Sequence, residues 1–214
     1  FSIDKATRIE LEADPRHMGE GRIATYAKSG VNRISLGVQD FDHNVLQAVN
    51  RQQPFYLSLE AVNLCRAYDI ECINFDLMYG LPGQTVETIR NTCETALLLK
   101  PNRIAFFGYA HVPWMKKHMG MLQENSLPDS SQRYDLFMTG RQIFLDAGYA
   151  PVGIDHFVKP SDLMNQALIN HTLRRNFQGY TTDNAPALIG LGASSIGAFP
   201  QGYAQNTADL KLYA

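Results

Sequence analysis

The chain has 214 residues, of which 45% are hydrophobic and 19% charged, with a formal net charge of -2. That length allows one large domain or two small ones around a substantial core, and the composition is that of an ordinary globular protein. The near-neutral balance excludes a global attraction to nucleic acid or an anionic membrane, so an acidic ligand must be met by local Arg or Lys.

In chain order, residues 7–12 read as a first strand. Gly30 follows a helical run, where a left-handed cap favours glycine. A second strand is read at 32–39, an amphipathic helix at 58–69 and a third strand at 71–78. Residues 86–99 carry Val86, Ile89, Cys93, Ala96 and Leu97 on one helical face, with Thr85 as N-cap and Glu87 at the positive end. A fourth strand is read at 103–110, a helix at 131–146 closed by Gly148, and a fifth strand at 151–156. No apolar run reaches ~18 residues and no basic stretch precedes an apolar one, so neither a membrane helix nor a leader peptide is read. Cys65, Cys72 and Cys93 match no zinc or iron–sulfur spacing and read as small buried apolar residues of a cytoplasmic chain. The chain opens on Phe1 and closes on Ala214 inside a polar, helix-like stretch, so it reads as an internal piece of a longer protein.

Strands alternating with helices imply an α/β fold with a parallel sheet, because each parallel crossover needs a helix. Neither G-x-G-x-x-G nor G-x-x-x-x-G-K-[ST] occurs, which removes the main support for a nucleotide-binding open sheet. Polar groups close successive strands: Glu12, Gln39, Asp76, then Tyr109-Ala110-His111. A βα barrel builds its site at such carboxyl ends. Asp76 lies inside an apolar run, where a carboxylate needs a charged or hydrogen-bonding partner. It faces a ligand's hydroxyl or ammonium groups, or Arg51, or it caps a helix.

The ordered segments "IELEADPRH", "GVNRISLGVQDFD", "VNRQQ", "INFDLMYGLPGQT", "FFGYAHVP", "GIDHFVKPSDLM", "LRRNFQGYTT" and "IGLGASSIG" resemble the oxygen-independent coproporphyrinogen III oxidases, radical S-adenosylmethionine (radical SAM) enzymes of haem biosynthesis. "YGLPGQT" alone is shared across radical SAM enzymes; the set is specific. The resemblance implies a partial (βα)6 radical SAM barrel, with residues 1–112 as its later units and 113–214 as an extension covering the active site. It implies oxidative decarboxylation of two propionates of coproporphyrinogen III to vinyls. The radical comes from reductive cleavage of S-adenosylmethionine, of which one or two molecules are held, at a [4Fe–4S] cluster whose cysteine loop would precede residue 1.

Carried over residue by residue, the resemblance implies cofactor contacts at Glu12, Gln39, Arg51, Asp76, Ala110 and Ile196. Gln39 falls on a second cofactor molecule and Arg51 on the cofactor's carboxylate, which a planar guanidinium meets in bidentate fashion. A substrate with four propionates calls for cations, and Arg174, Arg175 and Lys159 are the candidates. No residue is assigned the chemical step and none a metal. The implied partners are the porphyrinogen and an unnamed electron donor, with no nucleic acid or membrane, for a cytoplasmic monomer. Two other readings stand beside this one: a radical SAM-like haem chaperone without oxidase activity, and a βα-barrel enzyme using "GLGASSIG" as a phosphate cradle.

Overall fold

Apolar and polar residues alternate along four strands, and this sets one face of a sheet against helices. Strands β1 (Glu10–Ala13), β2 (Arg33–Gln39), β3 (Cys72–Tyr79) and β4 (Arg103–Gly108) pair in parallel, in chain order. Helix α1 (Glu20–Lys28) joins β1 to β2, α2 (His43–Ala48) and α3 (Phe55–Ala67) join β2 to β3, and α4 (Val86–Leu98) joins β3 to β4. The structure is a computed structural model and describes residues 7–122 and 124–214. It parts into two compact units, Phe1–Gln166 and Ala167–Ala214.

In the first unit the apolar face carries Leu36, Ile73, Phe75, Leu77, Ile104 and Phe106. These pack with Ile23 of α1, Val62 and Cys65 of α3, Ile89 and Cys93 of α4, and Leu136 and Phe144 of α5 (Ser130–Asp146). Full burial of each large side chain stabilises by about 1.5–3 kcal/mol. Gly140 lets α5 lie close: a Cβ there would stand 2.6 Å from the Phe106 ring and 3.2 Å from Cys93 Sγ.

The expected N-cap holds. Thr85 Oγ1 accepts from the Thr88 amide (3.2 Å), Thr88 Oγ1 accepts from the Thr85 amide (2.9 Å), and Glu87 lies in the first turn. Thr85→Ala is expected to cost about 1 kcal/mol, read as a loss of roughly 2–4 °C in thermal midpoint for a chain of this size. Gly30 and Gly148 follow α1 and α5 at φ +88° and +82°, as expected of left-handed caps. Val86, expected on the inner face of α4, is 43% exposed, and Thr92 takes an inward place because its hydroxyl meets the buried Asp40 carboxylate.

Two strand expectations need correction. The first strand starts at Glu10, because the Ile9 amide is taken by Asn32 Oδ1 (3.2 Å) and the Thr7 carbonyl by Asn32 Nδ2 (2.8 Å). The fifth strand is two short ones, β5 (Ala150–Val152) and β6 (His156–Val158), turned at Gly153 with φ +64°. β6 runs antiparallel to both β4 and β5, so the parallel series ends at β4, and the sheet order is β1-β2-β3-β4-β6-β5.

The division into units falls inside α6 (Leu163–Ile169), whereas a division of roles was expected after residue 112. The second unit contains two antiparallel hairpins, β7 (Arg174–Asn176) with β8 (Gly179–Thr181) and β9 (Ile196–Phe199) with β10 (Gly202–Gln205), and the short α7 (Leu210–Tyr213). Asn206 fastens the loop before β9: its side-chain amide donates to the Gly192 carbonyl (2.9 Å) and to Ser195 Oγ (3.0 Å). Among the described residues no helix is long and apolar enough to cross a membrane.

Candidate cofactor site at the strand ends

The other face of the sheet is polar, and register fixes which groups meet. Glu12, Ser35 and Asn74 lie in one row, and Gly37, Asp76, Ala105 and His156 in another. Asp76 accepts from Ser35 Oγ (2.9 Å) and from Asn74 Nδ2 (2.8 Å), and Asn74 Nδ2 also reaches Ser35 Oγ (2.7 Å). Its protein partners are therefore its own neighbours on the sheet, not Arg51 and not a helix terminus. Burial pushes the Asp76 carboxyl above the usual range. The Ser35 and Asn74 bonds pull it down, the Glu12 charge pushes it up and His156 opposes that. The half-buried carboxylate has acceptor capacity beyond these two bonds.

Gln39 ends β2 in the left-handed region, at φ +69°. It is the middle residue of a three-residue turn closed by the Asp40 amide on the Val38 carbonyl (2.9 Å), and the register against β3 shifts between Gly37 and Gln39. Its side-chain amide folds over Gly37: a Cβ at Gly37 would lie 3.0 Å from Gln39 Nε2 and 3.9 Å from Arg51 Nη2. Arg51 donates to the Gly37 carbonyl and to Gln53 Oε1 (2.9 Å), with the Asp14 carboxylate at 3.3 Å. Ala110 lies exposed just beyond β4. Glu12, Gln39, Arg51, Asp76 and Ala110 thus share one end of one sheet, the first four around Gly37 and the β1–β3 rows.

Of the remaining expected residues, three belong to the second unit and are described within it. Ile196 opens β9 and lines a cavity of about 340 Å³ within the second unit, together with Phe177, Gln178, Leu188 and Ser195. Arg174 and Arg175 are exposed on β7, with the Arg175 guanidinium 4.7 Å from the Tyr180 ring centre. Lys159 follows β6, whose antiparallel run carries it to the amino-terminal end of β4. There its ammonium meets the Lys100 carbonyl (3.3 Å), so it does not join the strand-end groups. "GLGASSIG" leads into the hairpin strand β9, not into a helix N-terminus of the kind that cradles phosphate.

A buried network went unread in the sequence. Asp40 is fully buried and accepts from four donors, among them Gln84 Nε2 (2.5 Å) and Thr92 Oγ1 (2.5 Å). Gln84 also donates to the Met78 carbonyl (2.8 Å) and accepts from the Leu81 amide (2.9 Å). The only signal was Gln84 within "YGLPGQT"; nothing in "VQDF" marks Asp40 as buried. Arg103 likewise pairs with Asp162 through two bonds of 2.8 and 2.7 Å.

Cys65 and Cys93 lie in the core, Cys72 is half-buried, and among the described residues no group of three His, Cys, Asp or Glu is placed to hold a metal. Burial raises the Cys65 thiol to about 11 and also pushes up Cys93. A thiol reagent at pH 8 is expected to modify Cys72 well before the other two, as read by peptide mapping; equal rates would contradict the packing.

A parallel sheet with a polar inner face, carrying carboxylates, an amide and a guanidinium at its carboxyl ends, agrees with the family comparison. Residues 2–96 match the model of the Radical SAM superfamily. The chain is 46% identical over 206 residues to the oxygen-independent coproporphyrinogen III oxidase of Paracoccus denitrificans, covering 96% of this chain and 46% of that protein. It is 43% identical to the Helicobacter pylori protein of the same name (99% and 46%). The solved coproporphyrinogen III oxidase (HemN) from Escherichia coli, a radical SAM enzyme, superposes with a TM-score of 0.95 at 35% identity, over 99% of this chain and 49% of that one. The chain thus has the radical SAM fold and is similar to the oxygen-independent coproporphyrinogen III oxidases. It spans about half the length of the curated relatives it matches.

Proposed function

We propose that the protein carrying this chain converts two propionates of coproporphyrinogen III to vinyls in anaerobic haem biosynthesis, using S-adenosylmethionine. The observation that carries this is the gathering of Glu12, Gln39, Arg51 and Asp76 at the carboxyl ends of β1–β3, in a chain with these relatives. The donor set fits the cofactor. Its ammonium and ribose hydroxyls need acceptors, which Glu12 and Asp76 supply. Its carboxylate needs a fixed cationic donor, which the guanidinium of Arg51 supplies, steadied through Nε and Nη2 by Gln53 and Gly37. Gln39, able to donate and accept, suits a second cofactor molecule beside the first, with Ala110 and Ile196 as close apolar neighbours.

When bound beside a [4Fe–4S] cluster, the cofactor supplies the radical that removes a propionate hydrogen. The chain's own cysteines do not suit that cluster, since two lie in the core and the third is half-buried, so its ligands are assigned to residues outside this chain. The chain's task is to bind and orient. Arg51 fixes the amino-acid end, Glu12 and Asp76 the groups next to it. Residues 1–112 form that half of the site and 113–214 cover it, with Arg174 and Arg175 as the cations for the propionates. An electron donor not named by the sequence serves a cytoplasmic monomer.

The test is anaerobic reconstitution of the full-length protein with iron and sulfide, followed by assays for 5′-deoxyadenosine and vinyl product. Both are expected. No 5′-deoxyadenosine from a well-reconstituted sample would remove the radical reading. Tight haem binding without porphyrinogen turnover would instead favour the chaperone.

A further inference from the structure

The turn at residues 38–42 is strained, and its surroundings hold it from both sides. Gln39 is not glycine, yet it sits at φ +69° in a turn closed by an i to i+2 hydrogen bond. Positive-φ turns of this kind are rare, and they persist where neighbouring structure over-determines them. On the chain-start side, Arg51 donates to the Gly37 carbonyl and Gln53 Nε2 to the Val38 carbonyl (2.9 Å). On the other side stands Asp40. Its Oδ1 accepts from the amides of Phe41 (2.6 Å) and Asp42 (2.7 Å) and from the Thr92 hydroxyl, and its Oδ2 accepts from Gln84. Phe41 and Asp42 are the next residues of the same turn, Thr92 belongs to α4, and Gln84 belongs to the loop after β3. One carboxylate therefore ties the end of β2 to the end of β3 and to the helix behind them.

We propose that Asp40 is a positioning residue for the strand-end site: it locks the Gln39 turn, so that the Gln39 amide is held over Gly37 beside Arg51. This rests on the reading of that site as a cofactor site. A purely structural salt or hydrogen-bond anchor needs no such placement. Asp40 is adjacent to the strained residue, and its carboxylate takes the two amides that follow it, which fixes the turn's exit. Burial pushes the Asp40 carboxyl up, while the bonds from Thr92, Asp42, Gln84 and Phe41 pull it down. All four are donors, so the ionised, acceptor-only form is the one that satisfies them.

The test uses the full-length, anaerobically reconstituted protein and measures S-adenosylmethionine affinity by equilibrium dialysis. Asp40→Asn keeps the shape but presents a donor to donors. It is expected to weaken binding on the order of tenfold, the size of losing one positioned hydrogen bond, and to raise KM for S-adenosylmethionine more than it lowers kcat. Gln39→Gly accepts positive φ without strain and lacks the amide. In that background Asp40→Asn is expected to weaken binding less than about twofold further, because residues acting through one another are non-additive. A further tenfold loss in the glycine background would overturn the proposal, since Asp40 would then act independently of Gln39. If Asp40→Asn fails to fold, Thr92→Val removes one donor only, and the same comparison applies with an expected loss of about threefold; unchanged affinity there would equally overturn it. Absence of binding by the unaltered protein would sink the cofactor reading itself, whereas normal binding by every variant would sink only the role of Asp40.

Discussion

Asp76→Asn in the full-length protein is expected to weaken S-adenosylmethionine binding by about 100-fold or more, while leaving the fold as stable as before or more so. Removing one member of a charged, hydrogen-bonded contact commonly costs ~2–5 kcal/mol, which is the source of the first effect. The second comes from burial, which is the largest influence on the Asp76 carboxyl and raises it. A carboxyl whose folded value lies above its unfolded value binds its proton more tightly in the fold. Stability is then fullest below the unfolded value and is lost as pH rises through the raised folded value. At neutral pH the ionised group therefore costs stability that an amide does not. Ser35, a hydroxyl that can donate or accept, can reorient to meet the amide. Cofactor binding should follow the opposite course, weakening as pH falls through the raised range and the carboxylate is neutralised. Calorimetry and equilibrium dialysis on the same two samples decide the matter. Unchanged affinity, or a thermal midpoint lowered by more than a few degrees, would contradict this role for Asp76.

Phe106→Ala should have the largest effect on the fold itself. Phe106 is fully buried, and its ring packs against Tyr79 (5.0 Å between centres), Phe144 (5.6 Å) and Phe137 (6.1 Å). It also fills the space that Gly140 leaves open. Deleting such a ring removes its transfer free energy and leaves a cavity, together about 3–5 kcal/mol. That is a large part of the roughly 5–15 kcal/mol that holds most domains together. Denaturant unfolding should show a lower midpoint with an unchanged slope. A loss under about 1 kcal/mol would mean that α5 does not pack on the sheet through this ring.

Much of this is legible in the sequence. The strand-like runs place β2, β3 and β4 to within one or two residues, since each strand has one face buried against helices. The strand-end polar groups were legible because a parallel sheet sends every carboxyl end the same way. What was missed follows from forces that local pattern does not carry. Residues 151–156 have the composition of one strand, but Gly153 turns the chain and β6 returns antiparallel to β4. That reversal sends Lys159 to the wrong end of the sheet for a shared site. Val86 and Thr92 exchanged their expected places on α4 because Thr92 answers a carboxylate 52 positions away. Asp40 was passed over for the same reason: its partners come from two other segments. Asp76 stands out in the sequence as an acid inside an apolar run, but its neighbours Ser35 and Asn74 do not, because small polar residues inside a strand give no signal of which face they share.

The most direct measurement is an anaerobic crystal structure of the full-length protein with S-adenosylmethionine bound. The expected result has the cofactor's carboxylate on Arg51 and its ammonium or ribose hydroxyls on Glu12 and Asp76, with Gln39 at the same opening beside Gly37. A cofactor bound away from the carboxyl ends of β1–β3, with these four side chains facing bulk water, would contradict it.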